Sequence, residues 1–225
     1  KVISFNSTLF FKVAASVVLL VSIFYIFNNN TTTIEASYAE NKTINLPDAT
    51  EITLNDGSSI SYKPSKFEGN RTLSLDGEAF FDVTKKGDFD VKTNYGVIHV
   101  LGTTFNIKSR AEIFNVFCFT GTVKVSNDNH DFILKPGEGV RLNTEKKLVK
   151  YIDKTKLKPY WMNNESVFFE APYSAVLNEF ERQYNITLEY GDIDTSVIYT
   201  GGFNNTDMDS AIQSITLPLN LKFKL

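Results

Sequence analysis

The run Leu9 to Phe27, LFFKVAASVVLLVSIFYIF, is nineteen residues long and carries one charge, Lys12, whereas everything after it is soluble in character. At about 1.5 Å per residue a helix over this run reaches roughly 28 Å, close to the ~30 Å hydrocarbon core of a bilayer. The reading is a single transmembrane helix bounded by Leu9 and Phe27, with Leu20 in its apolar body. Lys12 lies one turn from the start, where its four-carbon stem can carry the ammonium out to the headgroups. Lys1 and Lys12 flank or precede the amino side, and the far flank is the uncharged run Asn28 to Thr33 followed by Glu35. Positive-inside reasoning therefore places the amino terminus in the cytoplasm and the rest across the membrane. A cleaved secretory signal fits less well, because its apolar core is ~7 to 15 residues and small residues should stand near its cleavage site. Here Phe24, Tyr25 and Phe27 stand there instead. Since the chain opens on Lys1 and not on methionine, residues 1–8 are read as the remnant of a longer cytoplasmic segment.

A net charge of −3 offers no basic surface for nucleic acid. Nineteen Phe and ten Tyr against one Trp, with many Val, Ile and Thr, favour strands, so the soluble part is expected to be mainly β. The single cysteine, Cys118, stands between Phe117 and Phe119 as a buried strand residue would, and a lone cysteine cannot form an internal disulfide.

Residues 28–45 are polar, rich in Asn and Thr and without sustained periodicity, which reads as a stalk. Residues 46–153 hold short alternating segments at hairpin spacing. Thr50 to Leu54 and Ser59 to Tyr62 flank Asn55-Asp56-Gly57-Ser58, where Asp-Gly supplies the positive φ that a tight hairpin needs. Strands are likewise expected at 72–75, 78–84, 89–93, 96–101, 104–109, 113–119, 122–126, 132–134 and 139–143, with turns at Asp76-Gly77, Lys86-Gly87, Thr120-Gly121 and Pro136-Gly137 among others. With no helical period between them, they predict an all-β antiparallel domain, either a sandwich or a β-helix-like roll.

Residues 154–225 change character. A strand over 166–170 leads into a helix opened by Pro172, whose Val176, Leu177, Phe180 and Tyr184 share one face. Ile186 to Tyr190 alternates as a returning strand. The unit then repeats: a strand over 197–203, a helix capped by Thr206 with the face Met208, Ala211, Ile212 and Ile215, and a last alternating strand from Leu219 to Leu225. Two β-α-β units make a small α+β domain, whose sheet edges place Ile186, Leu188, Tyr190, Tyr199 and Phe203 as candidate partner-binding residues.

No catalytic constellation is expected. Gly-X-Ser-X-Gly is missing, and the two histidines lie apart. His99 alternates with apolar neighbours as an outward strand position, and His130 reads as a turn residue. Three scattered His and Cys do not make a zinc site. The pairs Asp88/Asp90, Asp192/Asp194 and Asp207/Asp209 do not continue into a calcium loop. No metal, cofactor or enzymatic activity is anticipated, which favours recognition and signal transfer.

Three phrases carry a family resemblance: Leu73-Ser74-Leu75-Asp76-Gly77-Glu78-Ala79-Phe80-Phe81-Asp82-Val83, Phe89-Asp90-Val91-Lys92-Thr93 and Val97-Ile98-His99-Val100-Leu101-Gly102-Thr103-Thr104-Phe105-Asn106-Ile107. With Leu46-Pro47-Asp48 before them and Leu134-Lys135-Pro136-Gly137-Glu138 after, residues 46–140 resemble the FecR family of transmembrane sigma-factor regulators. The tail from Trp161 resembles the C-terminal domain of Bacteroidota-type members, itself similar to the short secretin and TonB-receptor amino-terminal module. The resemblance implies an inner-membrane anti-sigma factor that holds an extracytoplasmic-function sigma factor through its cytoplasmic segment. It also implies a periplasmic signal from the signalling domain of a TonB-dependent outer-membrane transporter. The residues before the span are too few to show the sigma-binding part of that pattern. Some such proteins are processed in the periplasm, and Gly102-Thr103 is the candidate step here, the threonine hydroxyl attacking the preceding carbonyl. In the plainer reading, preferred for this chain, Gly102 makes a bulge and Thr103 bonds locally. The rival function is a membrane-tethered binding module for a glycan or cell-envelope ligand, which would show exposed aromatics at the loop tips of the β domain.

Overall fold

The computed structural model describes residues 11–12, 14–22, 30–127 and 130–224. Leu9, Phe27 and Leu225 lie outside them. Within the expected span, residues 14–22 are helical, and Val17, Val18, Leu19, Leu20 and Val21 are exposed. No helix of the described residues is long and apolar enough to cross a membrane.

The first strands come earlier than expected. β1 (Thr32–Glu35) and β2 (Lys42–Asn45) pair antiparallel with β4 (Ser59–Tyr62) and β3 (Glu51–Leu54), so this part of the expected stalk belongs to the β domain. Each of these strands holds a single large apolar residue, Ile34 or Ile44, that packs on the core. One isoleucine among Thr, Lys and Asn gives too weak an alternation to read as a strand.

Two sheets share one strand. β5 (Thr72–Asp82) runs through the Asp76-Gly77 step that was expected to be a turn. Its first half pairs with β4 and its second half with β3 and with β8 (Thr104–Arg110). Gly77 marks the crossing: its φ is +110°, and a Cβ there would meet the Ser58 Cβ at 2.6 Å. Only glycine takes that bend without strain. The first sheet continues from β5 through β6 (Phe89–Thr93), β7 (Gly96–Val100), β10 (Val123–Ser126) and β11 (Asp131–Leu134). The second continues from β8 through β9 (Ile113–Cys118), β12 (Glu138–Leu142) and β13 (Leu148–Ile152). The β5–β6 pair is parallel, a departure from the antiparallel expectation: residues 83–88 connect the two strands, and β6 meets β5 only at Thr72, Leu73 and Ser74, at the start of β5.

The β-domain core contains Ile52, Leu54, Ile60, Phe81, Phe89 and Phe105, all fully buried, with the Phe81 and Phe105 rings stacked at 4.9 Å. Cys118 is buried, as its strand neighbours suggested, and burial pushes its thiol up to about 11. A second buried knot sits where the 46–50 turn meets the start of β5. Arg71 donates through Nε to Asp48 Oδ2 at 2.8 Å and through Nη1 to the Gly87 carbonyl at 2.7 Å. Nη2 reaches the Thr84 carbonyl at 2.9 Å.

The C-terminal domain begins with a single 3₁₀ turn, Tyr160–Asn163, followed by β14 (Glu165–Pro172), α1 (Tyr173–Tyr184), β15 (Ile198–Asn204) and α2 (Met208–Thr216). Val176, Leu177 and Phe180 of α1 and Ala211, Ile212 and Ile215 of α2 are buried in one cluster with Phe168, Tyr199 and Phe203. Asp207 caps α2 in place of Thr206, its Oδ1 accepting from the Ser210 amide at 3.1 Å. The sheet has two strands, β14 and β15, where two complete β-α-β units were expected. The returning segments alternate as strands do, Ile186 and Leu188 packing on the core between exposed Thr187 and Glu189. Their backbone donors go elsewhere: the Ile186 amide to the Glu181 carbonyl at 3.1 Å and the Leu188 amide to the Glu181 carboxylate at 2.7 Å. Helix α1 thus takes the hydrogen bonds a sheet neighbour would have taken. The Leu221 amide likewise bonds the Thr216 carbonyl of α2 at 3.1 Å, and residues 221–224 form no ladder.

Candidate functional site: the cleft and ionic seam between the two domains

Alternation in a strand sends one residue in two to each face. On the second sheet the inner face is apolar, and the outer face carries two cross-strand rows. Register aligns Phe80, Asn106, Phe117, Gly139 and Tyr151 in one row and Glu78, Lys108, Asn115 and Arg141 in the next. The C-terminal domain sits on these rows. Trp161 Nε1 donates to Asn106 Oδ1 at 3.1 Å, and Asn106 Nδ2 donates to Glu78 Oε1 at 3.0 Å. Gly139 gives the Tyr151 ring its place, since a Cβ there would meet the ring at 2.5 Å.

Helix α1 closes the contact with charge. Glu179, 1% exposed at its side chain, lies 3.1 Å from Lys108 Nζ and 2.7 Å from Arg182 Nη2. Lys108 also reaches Glu78 at 3.2 Å. Asp56, in the β3–β4 turn, accepts from Gln183 Nε2 at 2.8 Å and faces Arg182 Nε at 3.5 Å and Arg110 Nη2 at 3.8 Å. Arg110 Nη2 donates to the Asp56 carbonyl at 2.6 Å. In the β1–β2 turn, the Ala39 amide donates to the Arg182 carbonyl at 3.0 Å, near the end of α1. Three carboxylates and three cations therefore balance in one buried seam.

The seam sets the charge states of its members. Burial would raise Glu179, but Lys108, Arg110 and Arg182 outweigh it and hold the carboxyl below its usual range. Burial would lower Lys108, and Glu179 with Glu78 outweighs it in the other direction. Asp56 is pushed up to about 6, first by burial and then by the Glu179 charge. Its Oδ2 has no hydrogen-bond partner among the described residues, which fits a carboxylate whose ionised form is poorly served. The signs predict a pH profile. Asp56 takes up a proton in the folded state as pH falls through about 6, which favours folding between about 6 and its unfolded value of 3.8. Glu179 stabilises the fold above its ordinary 4.5, and that contribution is lost as pH falls further. Thermal stability should rise from pH 7 to about 5 and drop below about 4, and Asp56→Asn should flatten the rise. A wild-type melting temperature that falls steadily from pH 7 would contradict this assignment.

Beside the seam the domains enclose a cleft of about 870 Å³. Its floor is the outer face of β9, β12 and β13, its roof is β14 from Glu165 to Pro172, and Lys156 and Tyr160 line its end. Three cations in it are mounted on aromatic rings. Lys108 Nζ lies 5.6 Å from the Phe168 centroid, and Lys156 Nζ lies 5.1 Å from Phe117 and 4.6 Å from Tyr160. The Arg141 guanidinium lies 5.5 Å from Tyr151 and 5.6 Å from Phe169.

The residues singled out in the sequence fall mostly elsewhere. Tyr199 and Phe203 are 5% exposed and belong to the C-terminal core, Ile186 and Leu188 pack against it, and Tyr190 is 51% exposed. The burial follows from β15 being covered by both helices, so Tyr199 and Phe203 present no side chain to a partner. Gly102 packs against Lys85, and the buried Thr103 hydroxyl donates to the Thr122 carbonyl at 3.2 Å. His99 points outward and pairs with Asp90 at 2.7 Å, and the His130 amide bonds Asn127 in a turn. Lys12 and Leu20 are helical. Among the described residues no group of three or more His, Cys, Asp or Glu is placed to hold a metal. In the turns of the β domain Tyr38 is the one aromatic among the exposed large apolar residues described, so no stacking platform forms there. Asp56, Lys108, Glu179 and Arg182 were not anticipated: Asp56 carried only a turn signal, and the others fell within an expected strand and helix with no role assigned.

Residues 32–124 match the family described as FecR protein. A search of curated proteins gives no match. Two crystal structures of a proposed anti-sigma factor from Parabacteroides distasonis, at 2.50 and 1.65 Å resolution, are similar to this fold. The first has a TM-score of 0.77 and 27% identity over 87% of this chain and 95% of that one. The second has a TM-score of 0.75 and 27% identity over 86% and 94%. The family match begins at β1, in the segment that had read as a stalk, and ends in β10, whereas each structural likeness covers 86% or more of the chain. Over residues 32–124 the chain is similar to the FecR family.

Proposed function

We propose that this chain is a single-pass inner-membrane anti-sigma factor whose periplasmic part receives a signal from a TonB-dependent outer-membrane transporter and relays it to a cytoplasmic extracytoplasmic-function sigma factor. The observation that carries the reading is the likeness, at 27% identity over 87% of the chain and with a TM-score of 0.77, to a proposed anti-sigma factor. The apolar run Leu9 to Phe27 supports the anchor on length and composition. The C-terminal domain supports the receiver, since a two-stranded sheet leaves edges to which a similar module can add a strand.

The test uses the full chain in detergent. It should pull down the signalling domain of the transporter, and removal of residues 161–225 should abolish capture while circular dichroism shows the β domain still folded. Capture by the shortened chain would sink the receiver assignment. In cells, deletion of the chain should change transcription from promoters of the cognate sigma factor, and unchanged transcription would count against the relay as a whole.

A further inference from the structure

A half-buried lysine with no ion partner is open to an incoming carboxylate. Lys156 is such a residue. It is half-buried at the end of the cleft, and no described residue gives its Nζ a hydrogen bond or an ion pair within 4 Å. Burial holds its ammonium below the usual lysine range, and the charges of Glu78 and Asp153 only partly offset this. The Phe117 and Tyr160 rings face the ammonium from one side and accept no proton. Its three N–H donors are therefore open to solvent or to a ligand.

Arg141 is mounted next to it. The Tyr151 ring beneath Arg141 and the Phe117 ring beneath Lys156 have centroids 6.0 Å apart. The tyrosine hydroxyl and Asn115 bond each other, at 3.0 and 3.1 Å. Arg141 does have a partner, Glu170 at 3.2 Å, but Glu170 is 57% exposed at its side chain. An exposed pair of that kind is worth little and exchanges readily for another carboxylate.

We propose that the cleft is a seat for an acidic, extended peptide segment of a protein partner, one carboxylate of which bonds Lys156 while a second displaces Glu170 from Arg141. The class of occupant follows from the geometry. Two cations on adjacent rings select spaced carboxylates. The cleft runs along all of β14, from Glu165 to Pro172, with Phe169 exposed at 51% beside Arg141 to cover an apolar side chain. A strand-length groove with charges spaced along it suits a chain better than a small ion. The proposal rests on the relay reading in one respect, that the partner is a protein met by the periplasmic domains.

The test uses the folded chain and a hexaglutamate peptide. Trp161 is the single tryptophan and lines the cleft, so its emission reports occupancy. Hexaglutamate should change that emission saturably. Lys156→Met and Arg141→Met should each weaken binding roughly tenfold or more, and Lys156→Met should melt no lower than the wild type because it removes a half-buried charge that has no ion partner. Equal binding by Lys156→Met, binding of hexalysine as tight as that of hexaglutamate, or absence of any saturable change would overturn the seat. If glutarate matches the hexaglutamate peptide, the site takes small carboxylates and the peptide assignment fails. Pull-down of the transporter signalling domain separates the two proposals. Capture without hexaglutamate binding leaves the relay and removes the seat, and hexaglutamate binding without capture does the reverse.

Discussion

Glu179→Ala lowers stability by about 3–5 kcal/mol, the range for breaking a buried ion pair by removing one partner. Glu179 is the only seam carboxylate supplied by the C-terminal domain, and it touches both Lys108 and Arg182. Its removal leaves Lys108, Arg110 and Arg182 against Asp56 and Glu78, a net positive charge on side chains only 12–15% exposed. The loss should appear where the two domains meet. Urea unfolding followed by Trp161 emission should shift to lower denaturant, because Trp161 bonds Asn106 on the β-domain face beneath the seam. The pair is not required by charge as such. Glu179→Met combined with Lys108→Met should recover most of the stability, since apolar side chains of similar volume often replace buried pairs without loss. A change within 0.5 kcal/mol for Glu179→Ala, the range of an ordinary surface substitution, would mean that the seam does not hold the domains together.

Arg71→Ala destabilises the β domain by a similar ~3–5 kcal/mol, by a different route. Arg71 and Asp48 are 6% and 7% exposed at their side chains and lie 2.5 Å apart. Burial would raise Asp48, and the Thr50 hydrogen bonds with Arg71 outweigh it and keep the carboxyl below its usual range. Without the guanidinium, Asp48 is a buried charge left with the Thr50 amide and neutral hydroxyls as partners. The Gly87 and Thr84 carbonyls lose donors at the same time. Arg71→Lys should recover only part, because an ammonium cannot reproduce the fork that reaches Asp48, Thr84 and Gly87 together. Thermal unfolding of the three proteins side by side decides the matter, and an Arg71→Lys protein as stable as the wild type would show that a point charge is enough.

The two substitutions mark the boundary of what is readable in the chain. Asp48 lies in one family phrase and Arg71 just ahead of another, yet neither looks special as a letter. The seam is harder still, because Lys108 and Glu179 are 71 positions apart and Asp56 and Gln183 are 127 apart. Local pattern has no access to such pairs. Local pattern did place both helices correctly, because Val176, Leu177 and Phe180, like Ala211, Ile212 and Ile215, repeat at the helical period and are buried as that period requires. Its errors came from ambiguous signals. Asp76-Gly77 has the composition of a hairpin turn and the function of a bend within a strand, and φ alone separates them. Ile186 to Tyr190 has the alternation of a strand, but alternation reports which side chains face the core and not where the backbone donors go. Those donors went to Glu181 of the neighbouring helix.

The shared strand bears on how the β domain comes apart. β5 hydrogen-bonds to β4 and β6 in one sheet and to β3 and β8 in the other. Neither sheet can peel away without withdrawing partners from a strand the other also needs, so the layers melt together as one cooperative unit. Joining them also requires β5 to meet neighbours on both sides of it in sequence, including β8 more than twenty residues onward. Such long closures must form before they are rewarded, which makes slow, all-or-none refolding the kinetic signature of that single bend at Gly77.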